Sequence, residues 1–385
     1  MDREIRVALR YRLVVFSHLR WDFVYQRPQH LLSRLAKRHP VAFIEEPVFD
    51  PTGPARWEPS EPSPNVTVFR PYTPIDAPGF AEAQLPALQA LLPELEATLG
   101  QGGRVAWLYT PMALPLARAL EPDVVVYDCM DELSLFDGAP TSLLERETEL
   151  LELADLVFTG GPSLYRAKQH RHPHVHCFPS SVDAAHFRQA LTGADAPEQC
   201  DLPRPRLGFF GVIDERMDLA IIEALADEHP DWNIVLVGPI VKIDPASVPR
   251  RPNIHYTGQR PYAALPSFLA GWDLCLLPFA HNDATRFISP TKTLEYMAAE
   301  RPIVSTSITD VAEPYGSIVY LGDTPAAFVR SCECALAAPP HERRRRTTAM
   351  RDVLAGTSWD ATAASLERLV AKAFVAAEAS AEASA

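Results

Sequence analysis

The sequence predicts an α/β protein of two domains, each built on an open parallel sheet with helices on both faces. Three observations carry this. At 385 residues the chain is too long for one ordinary core and suits two domains of common size. Apolar runs of strand length recur along it, with helix-patterned stretches between them. The runs are apolar throughout rather than at alternate positions, as strands buried on both faces require.

In the first half the strand-length runs are RLVVFS (12–17), VAFIEE (41–46), VTVFRP (66–71), RVAWLYT (104–110), DVVVYD (123–128) and DLVFTG (155–160). HLLSRLAKR follows the first, AEAQLPALQALLPELEATL precedes the fourth and SLLERETELLELA precedes the sixth, each with helical patterning. The Pro-rich stretch from Pro47 to Pro64 has few core residues and reads as a surface loop. Residues 189–206, QALTGADAPEQCDLPRPR, are polar and breaker-rich and read as the interdomain link. Beyond it the alternation resumes: LGFFG, a helix from about Met217 to Glu228, NIVLVG, NIHYTG, a helix from about Tyr262 to Ala270, DLCLLPF, a helix from about Pro290 to Ala299, PIVST and SIVYLG. The expected domains are 1–188 and 205–357, both Rossmann-like, with a closing helix over about 358–378 assigned to the first.

Composition narrows the function classes. With 47% apolar and 22% charged residues the chain has the make-up of a globular enzyme. A net charge of −13 opposes wrapping on nucleic acid, while leaving room for a local phosphate site. The six cysteines show no CxxC pair and no zinc-ligand spacing, which fits a reducing, cytoplasmic setting. MDREIRVALRYRLVVF lacks the apolar stretch and cleavage site of a signal peptide, and no run of membrane-spanning length occurs. Peripheral contact with the inner face of a membrane stays open, as does the oligomeric state.

Open α/β sheets bind ligands beyond the carboxyl ends of their strands, so residues just after strands are the candidates. In FFGVIDERMD, Gly211 permits close backbone approach, and Arg216 offers a planar cationic fork for phosphate. In SPTKTLEYMA, Ser289 is placed to cap a helix with Pro290 in its first turn. The N–H groups up to Thr291 and the Lys292 ammonium then suit a diphosphate. Glu295, one turn on, suits a ribose diol; the alternative for Lys292 and Glu295 is a surface pair of structural value only. In the first half, SHLRWDFVYQRPQH places Arg20, Trp21, Gln26, Arg27 and His30 after the first strand, a mix of aromatic and polar groups suited to a sugar or phosphate. His30 equally suits an ordinary helix position. YDCMDE puts Asp128 and Asp131 at another carboxyl edge, where either would orient a hydroxyl. The histidines of HRHPHVHCF lack partnering carboxylates, and no metal site is assigned there.

Together SPTKTLEYMAAERPIVST, FFGVIDERMD, HYTGQRPYAALPSFLAGWDLCLLPF and SHLRWDFVYQRPQHLLSRLA resemble the GT-B glycosyltransferases, specifically the retaining family 4 (group 1) type and its bacterial teichuronic-acid-type relatives. The resemblance implies two Rossmann-like domains facing across a cleft, with donor on the C-terminal side and acceptor on the N-terminal side. It implies transfer from a nucleoside-diphosphate sugar, as co-substrate, to a saccharide or lipid-linked acceptor in cell-envelope polysaccharide synthesis. Retention, no cofactor and no metal are implied with it. It carries pyrophosphate binding onto Arg216 and Lys292 and ribose binding onto Glu295, and Arg260 would border the base. The family's further Glu, eight residues before Glu295, is Phe287 here. This departure leaves main-chain amides of 289–291, or Asp283 and Arg286, to meet the sugar. Two other readings share the architecture: a non-hydrolysing nucleotide-sugar epimerase and a noncatalytic nucleotide-sugar-binding protein.

Overall fold

A computed structural model describes residues 11–384. It resolves into two compact units: one extends to Pro179 and takes up the chain again at Asp360, and the other is Ser180–Trp359.

In the first unit the described residues form a nine-stranded sheet. Its strands are β1 (Tyr11–Ser17), β2 (Val41–Glu45), β3 (Val48–Phe49), β4 (Arg56–Ser63), β5 (Val66–Thr73), β6 (Gly103–Leu108), β7 (Val124–Cys129), β8 (Leu156–Thr159) and β9 (Val175–Cys177). The order is β3-β5-β2-β1-β6-β7-β8-β9, with β4 paired to β5 alone. The central strand β1 is parallel to both neighbours, in register Leu13↔Val41 and Tyr11↔Gly103. Helices α1 (Arg27–Leu35), α2 (Leu85–Leu99), α3 (Leu114–Ala119), α4 (Leu143–Leu153) and α5 (Pro162–Lys168) connect the strands. Leu31, Leu32, Leu88, Leu95 and Leu150 are their fully buried anchors.

Two expectations are corrected. The Pro-rich stretch after Pro47 is not a bare loop, because it contains β3 and β4, and β4 folds back antiparallel on β5 with Ser63 opposite Val66. Asn65 at φ 61° makes the tight reversal. Pro59 and Pro62 survive in β4 because it pairs on one side only, so their missing N–H groups cost no ladder bond. Residues 189–206 are not a free linker either: Ala190 and Ala196 are buried, in the same apolar cluster as Phe187, Phe268 and Trp272 of the second unit. Small apolar side chains among the breakers dock the stretch on that core.

The second unit has a six-stranded sheet among the described residues, of order β12-β11-β10-β13-β14-β15. These are β10 (Arg206–Phe210), β11 (Asn233–Val237), β12 (Ile254–Gly258), β13 (Leu274–Leu277), β14 (Ile303–Ser305) and β15 (Tyr320–Leu321). All the pairs are parallel. Its helices are α6 (Ala184–Arg188), α7 (Leu219–Glu228), α8 (Leu265–Gly271), α9 (Thr291–Ala298), α10 (Thr309–Tyr315), α11 (Pro325–Leu336) and α12 (Pro340–Ala355). Strand residues feed two cores in alternation: Phe210, Val235, Val237, Cys275 and Leu277 join Trp272 and Tyr296 on one face. Leu207, Phe209, Ile234, Leu236, Leu274 and Leu276 join Ile221 and Phe328 on the other. The chain runs outward from β10 through β11 and β12, then returns to β13 on the other side of β10. The strand order therefore reverses between β10 and β13, where open sheets leave a crevice at their carboxyl ends.

The last helix, α13 (Trp359–Ser384), outruns the expected 358–378. In the first unit its Phe374 ring lies 4.9 Å from that of Tyr11, and Glu367 meets Arg38 at 3.2 Å and His39 at 3.0 Å.

Trp272 packs where Gly208 leaves room, since a Cβ at 208 would overlap its indole. Its Nε1–H donates to Gln199 Oε1 at 2.8 Å. Gly208→Ala is expected to cost on the order of 1–3 kcal/mol or more by overpacking a buried aromatic. A lowered midpoint for the second unit in urea unfolding would show it, and an unchanged midpoint would refute this packing.

Candidate functional site

At the strand-order reversal three segments are fastened together. The connection after β10 bonds to the segment after β13: Asp218 N–H donates to Pro278 O and Ala280 N–H to Arg216 O, each at 2.8 Å. The Asn282 amide nitrogen donates to Glu215 O at 2.8 Å. Helix α9 is tied to β10 through Tyr296, whose hydroxyl accepts the Phe210 N–H at 3.2 Å.

Gly211 follows β10 at φ +136°, and Gly238 follows β11 at φ +152°, pressed against the Gly211 carbonyl. A Cβ on Gly211 would strike the end of the Lys292 side chain, coming within 2.7 Å of its Nζ. Lys292 reaches across from the first turn of α9, its ammonium 5.6 Å from the centre of the Phe209 ring, a cation–π contact. The helix start differs in detail from expectation. Pro290 is itself the N-cap, at φ −69°, no side chain caps the helix, and the first turn holds no acidic residue. Ser289 stands one residue before the cap, and its carbonyl accepts the Ser180 hydroxyl at 2.7 Å. The main chain at Ser289, Pro290 and Thr291 therefore leads into an N-terminus whose dipole is positive and uncovered by side-chain oxygens.

Glu295 sits one turn behind Lys292 and is only 6% exposed. Burial pushes its carboxyl from the ordinary 4.5 up to about 7, against the opposing pull of the Lys292 charge. Arg216 lies in the same connection as Gly211. Its guanidinium is gripped by Asp214, Nε at 3.0 and 3.2 Å and Nη2 at 2.7 Å, and stays partly exposed. The structure thus brings Gly211, Lys292 and Glu295 together and fixes Arg216 through Asp214. Asp214 stood in the motif without a role, because only the folded turn shows that it aims Arg216. Arg260 is held elsewhere, Nε 2.9 Å from Glu198, on the segment whose Ala196 N–H bonds to Ser267 O. At the departure from the family pattern, the Arg286 guanidinium stands 5.3 Å above the Phe287 ring.

In the first unit three of the expected site residues, Arg27, His30 and Asp128, are buried. Asp128 is fully buried and bound by Arg27, Nε at 3.0 and 3.2 Å and Nη2 at 2.9 Å. Arg27 is itself 4% exposed and donates to Phe178 O at 2.7 Å. Arg27, expected to meet a sugar or phosphate, and Asp128, expected to orient a hydroxyl, are one internal ion pair, holding the start of α1 to the end of β7. His30 is 2% exposed and edge-packed on the Tyr25 ring at 4.6 Å, so it is a helix residue of the core. Gln26 caps α1, its N–H donating to Gln29 Oε1 at 2.9 Å. Arg20 and Trp21 remain part-exposed around the buried Glu45, which pairs Arg20 at 3.1 Å and Arg70 at 2.7 Å and accepts the Trp21 N–H at 2.8 Å. Asp131 is half-buried, just beyond β7. Its neighbour Glu132 meets Lys168 Nζ at 2.6 Å, and Lys168 also meets buried Glu147 at 2.6 Å. No spacing in the sequence announces this cluster. Among the described residues no group of three or more His, Cys, Asp or Glu is disposed to hold a metal, and His172 Nε2 donates to Ala154 O at 2.8 Å.

This fold is the GT-B architecture, and the second unit carries a glycosyltransferase domain. Residues 204–338, within the second unit, match the family described as Glycosyl transferases group 1. The chain is 26% identical over 272 residues to a Bacillus subtilis (strain 168) protein named as a teichuronic acid biosynthesis glycosyltransferase, TuaH, covering 65% of this chain and 68% of that one. Among solved structures it resembles a sucrose-phosphate synthase from Thermosynechococcus elongatus, at TM-score 0.74 and 17% identity over 95% of this chain and 100% of that one. It also resembles the trehalose-6-phosphate protein of E. coli bound with UDP-2-fluoro glucose, at TM-score 0.67 and 14% identity over 94% and 99%. A third likeness is a trehalose-6-phosphate synthase studied for glycosyl transfer with retention, at TM-score 0.65 and 15% identity over 93% and 98%. No helix among the described residues is long and apolar enough to cross a membrane.

Two measurements test this geometry. Glu295 has a raised folded pKa, so its contribution to stability is present below about 4.5 and is lost as pH rises through about 7. The melting-temperature difference of Glu295→Gln minus wild type should therefore grow more positive from pH 5 to pH 8, and a flat difference would contradict the burial assignment. Separately, Arg27→Met strands a buried carboxylate and should cost about 3–5 kcal/mol, whereas Arg27→Met with Asp128→Leu should recover most of it. If Arg27 served only to bind a ligand, the single variant would lose activity and keep its unfolding midpoint.

Proposed function

We propose that the chain transfers a sugar from a nucleoside-diphosphate sugar to a saccharide or lipid-linked acceptor, without a metal or cofactor and with retention, in cell-envelope polysaccharide synthesis. The single observation that carries the reading is the convergence of Lys292, Gly211 and the uncapped start of α9 at the strand-order reversal, with buried Glu295 one turn behind. The diphosphate lies against the α9 N-terminus and Lys292, with Arg216 as second cation, and Glu295 takes the ribose hydroxyls.

In the reaction the acceptor oxygen forms a bond to the anomeric carbon as the bond to the diphosphate breaks. The bonding electrons leave with the diphosphate, which takes up the acceptor proton. Charge on the departing oxygen grows in the transition state, and fixed cations and amides already aimed there lower the barrier without reorganising. Retention and the UDP-sugar donor class are supported by the solved likenesses, one bound with UDP-2-fluoro glucose and one studied for transfer with retention. The cell-envelope setting is supported by the name of the B. subtilis relative. Placement at the cytoplasmic face of a membrane, in peripheral contact, follows from a lipid-linked acceptor.

Lys292→Ala is expected to reduce transfer from a nucleotide-sugar panel by roughly a hundredfold or more, the usual effect of removing one group that stabilises developing charge. Arg216→Ala should do the same with the fold intact by circular dichroism. Wild-type turnover in both variants would sink the reading. Product analysis separates it from its rivals: an isomerised nucleotide sugar without acceptor would indicate an epimerase, and nucleotide binding with no turnover a binding protein.

A further inference from the structure

The second unit holds a cavity of about 840 Å³ that the transfer reaction does not use. It lies at the amino edge of the sheet, opposite the edge that carries Gly211. Arg204 and Pro205 before β10, Trp232 before β11, Asp273 before β13 and Pro302 before β14 all line it. Four arginines face it, Arg204, Arg301, Arg343 and Arg346, in a chain whose net charge is −13.

The charges within the lining do not cancel. Of its carboxylates, Asp273 pairs with Arg204, Glu300 meets Arg351 at 2.7 Å, and Glu333 meets His229 at 2.9 Å. Arg346 is matched by Glu342 at 2.7 Å and lies 3.8 Å from the Tyr320 ring centre. Arg301 and Arg343 have no such match. Arg301 Nη2 donates to Ala270 O at 3.0 Å, while its Nε is buried and makes no hydrogen bond. Arg343 donates to the carbonyls of Ala338 at 2.8 Å and Leu336 at 2.6 Å. Carbonyls satisfy donors without neutralising charge, so the lining's four guanidiniums outnumber its three carboxylates, Asp273, Glu300 and Glu333, and leave it net positive.

We infer that this cavity binds a small organic anion of the phosphomonoester class, distinct from the donor and independent of the donor-site reading. Guanidinium pairs match phosphate oxygens in geometry as well as charge. The volume lies in the range of small-molecule sites and far exceeds one phosphate, which leaves space for an organic part beside Trp232 and Tyr320.

The test is thermal unfolding of the full chain with inorganic phosphate, glycerol 3-phosphate or ribose 5-phosphate, since a ligand of the folded state raises its stability as the site fills. A saturating rise with a monoester, stronger than with inorganic phosphate, is expected. It should be weakened at least tenfold in apparent affinity by Arg343→Gln. Thr347→Glu, which adds a negative charge to the lining and removes no arginine, should weaken it likewise if the first variant fails to fold. Lys292→Ala should leave it unchanged. No rise, a rise equal to that with inorganic phosphate, or a rise abolished by Lys292→Ala and kept by Thr347→Glu would overturn the inference. So would co-sedimentation with phosphatidylglycerol vesicles that Thr347→Glu abolishes, because the anion would then be a lipid headgroup.

Discussion

The second unit depends on one close approach: the side chain of Lys292 occupies the space where residue 211 would carry a Cβ, at a backbone angle of φ +136°. Sterics and conformation make the same demand, and only glycine meets both. That vacancy lets a cation from α9 lie over the end of β10, on the face of Phe209. A second glycine, Gly238, lets the β11 loop close against the Gly211 carbonyl, so the neighbouring strand end cannot drift away. Behind the cation, burial outweighs attraction. Lys292 alone would hold the Glu295 carboxyl low, yet desolvation prevails and the carboxyl rises to about 7.

The first unit uses charge differently. Arg27–Asp128, Glu45 with Arg20 and Arg70, and Lys168 with Glu132 and Glu147 all stand near the carboxyl ends of strands, with at least one member fully buried. Buried pairs return little net stability against their desolvation, but losing one partner is costly. Their effect is to hold loop starts to strand ends. Arg27 sets the beginning of α1, Glu45 sets the turn carrying Arg20 and Trp21, and Lys168 sets the segment containing Asp131.

Burial on both faces made the central strands legible as continuous apolar runs, and the positions of Gly211, Lys292 and Glu295 followed from the rule that ligands gather beyond strand ends. Other features had no local signature. Arg27 and Asp128 lie 101 residues apart, so each looked like an unpartnered polar group at a strand edge. Their pairing is a property of the β1–β6–β7 adjacency, which periodicity does not encode. The stretch after Pro47 misled because proline argues against a strand only where both edges pair, and β4 pairs at one. Helix α12 was missed because its run of arginines hides a short apolar stripe, with Met350 and Leu354 alone buried. Those arginines serve the fold by donating to carbonyls at the end of α11 and around β15.

The replacement at Phe287 bears on how a donor sugar would be met under the proposed function. A carboxylate there would accept hydrogen bonds from sugar hydroxyls; an aromatic ring accepts none, and here its face is covered by Arg286. Recognition must then shift from accepting to donating. The α9 start is suited to that, with main-chain N–H groups, no capping oxygen and no acid in its first turn. Donors of this kind bind whichever lone pairs approach and discriminate weakly among epimers, since each hydroxyl offers acceptor oxygens whatever its configuration. A carboxylate selects for hydroxyl direction more sharply, because a charge-assisted bond is stronger and its loss is felt more. Under that proposal the site built around Gly211 and Lys292 would grip the diphosphate more stringently than the sugar.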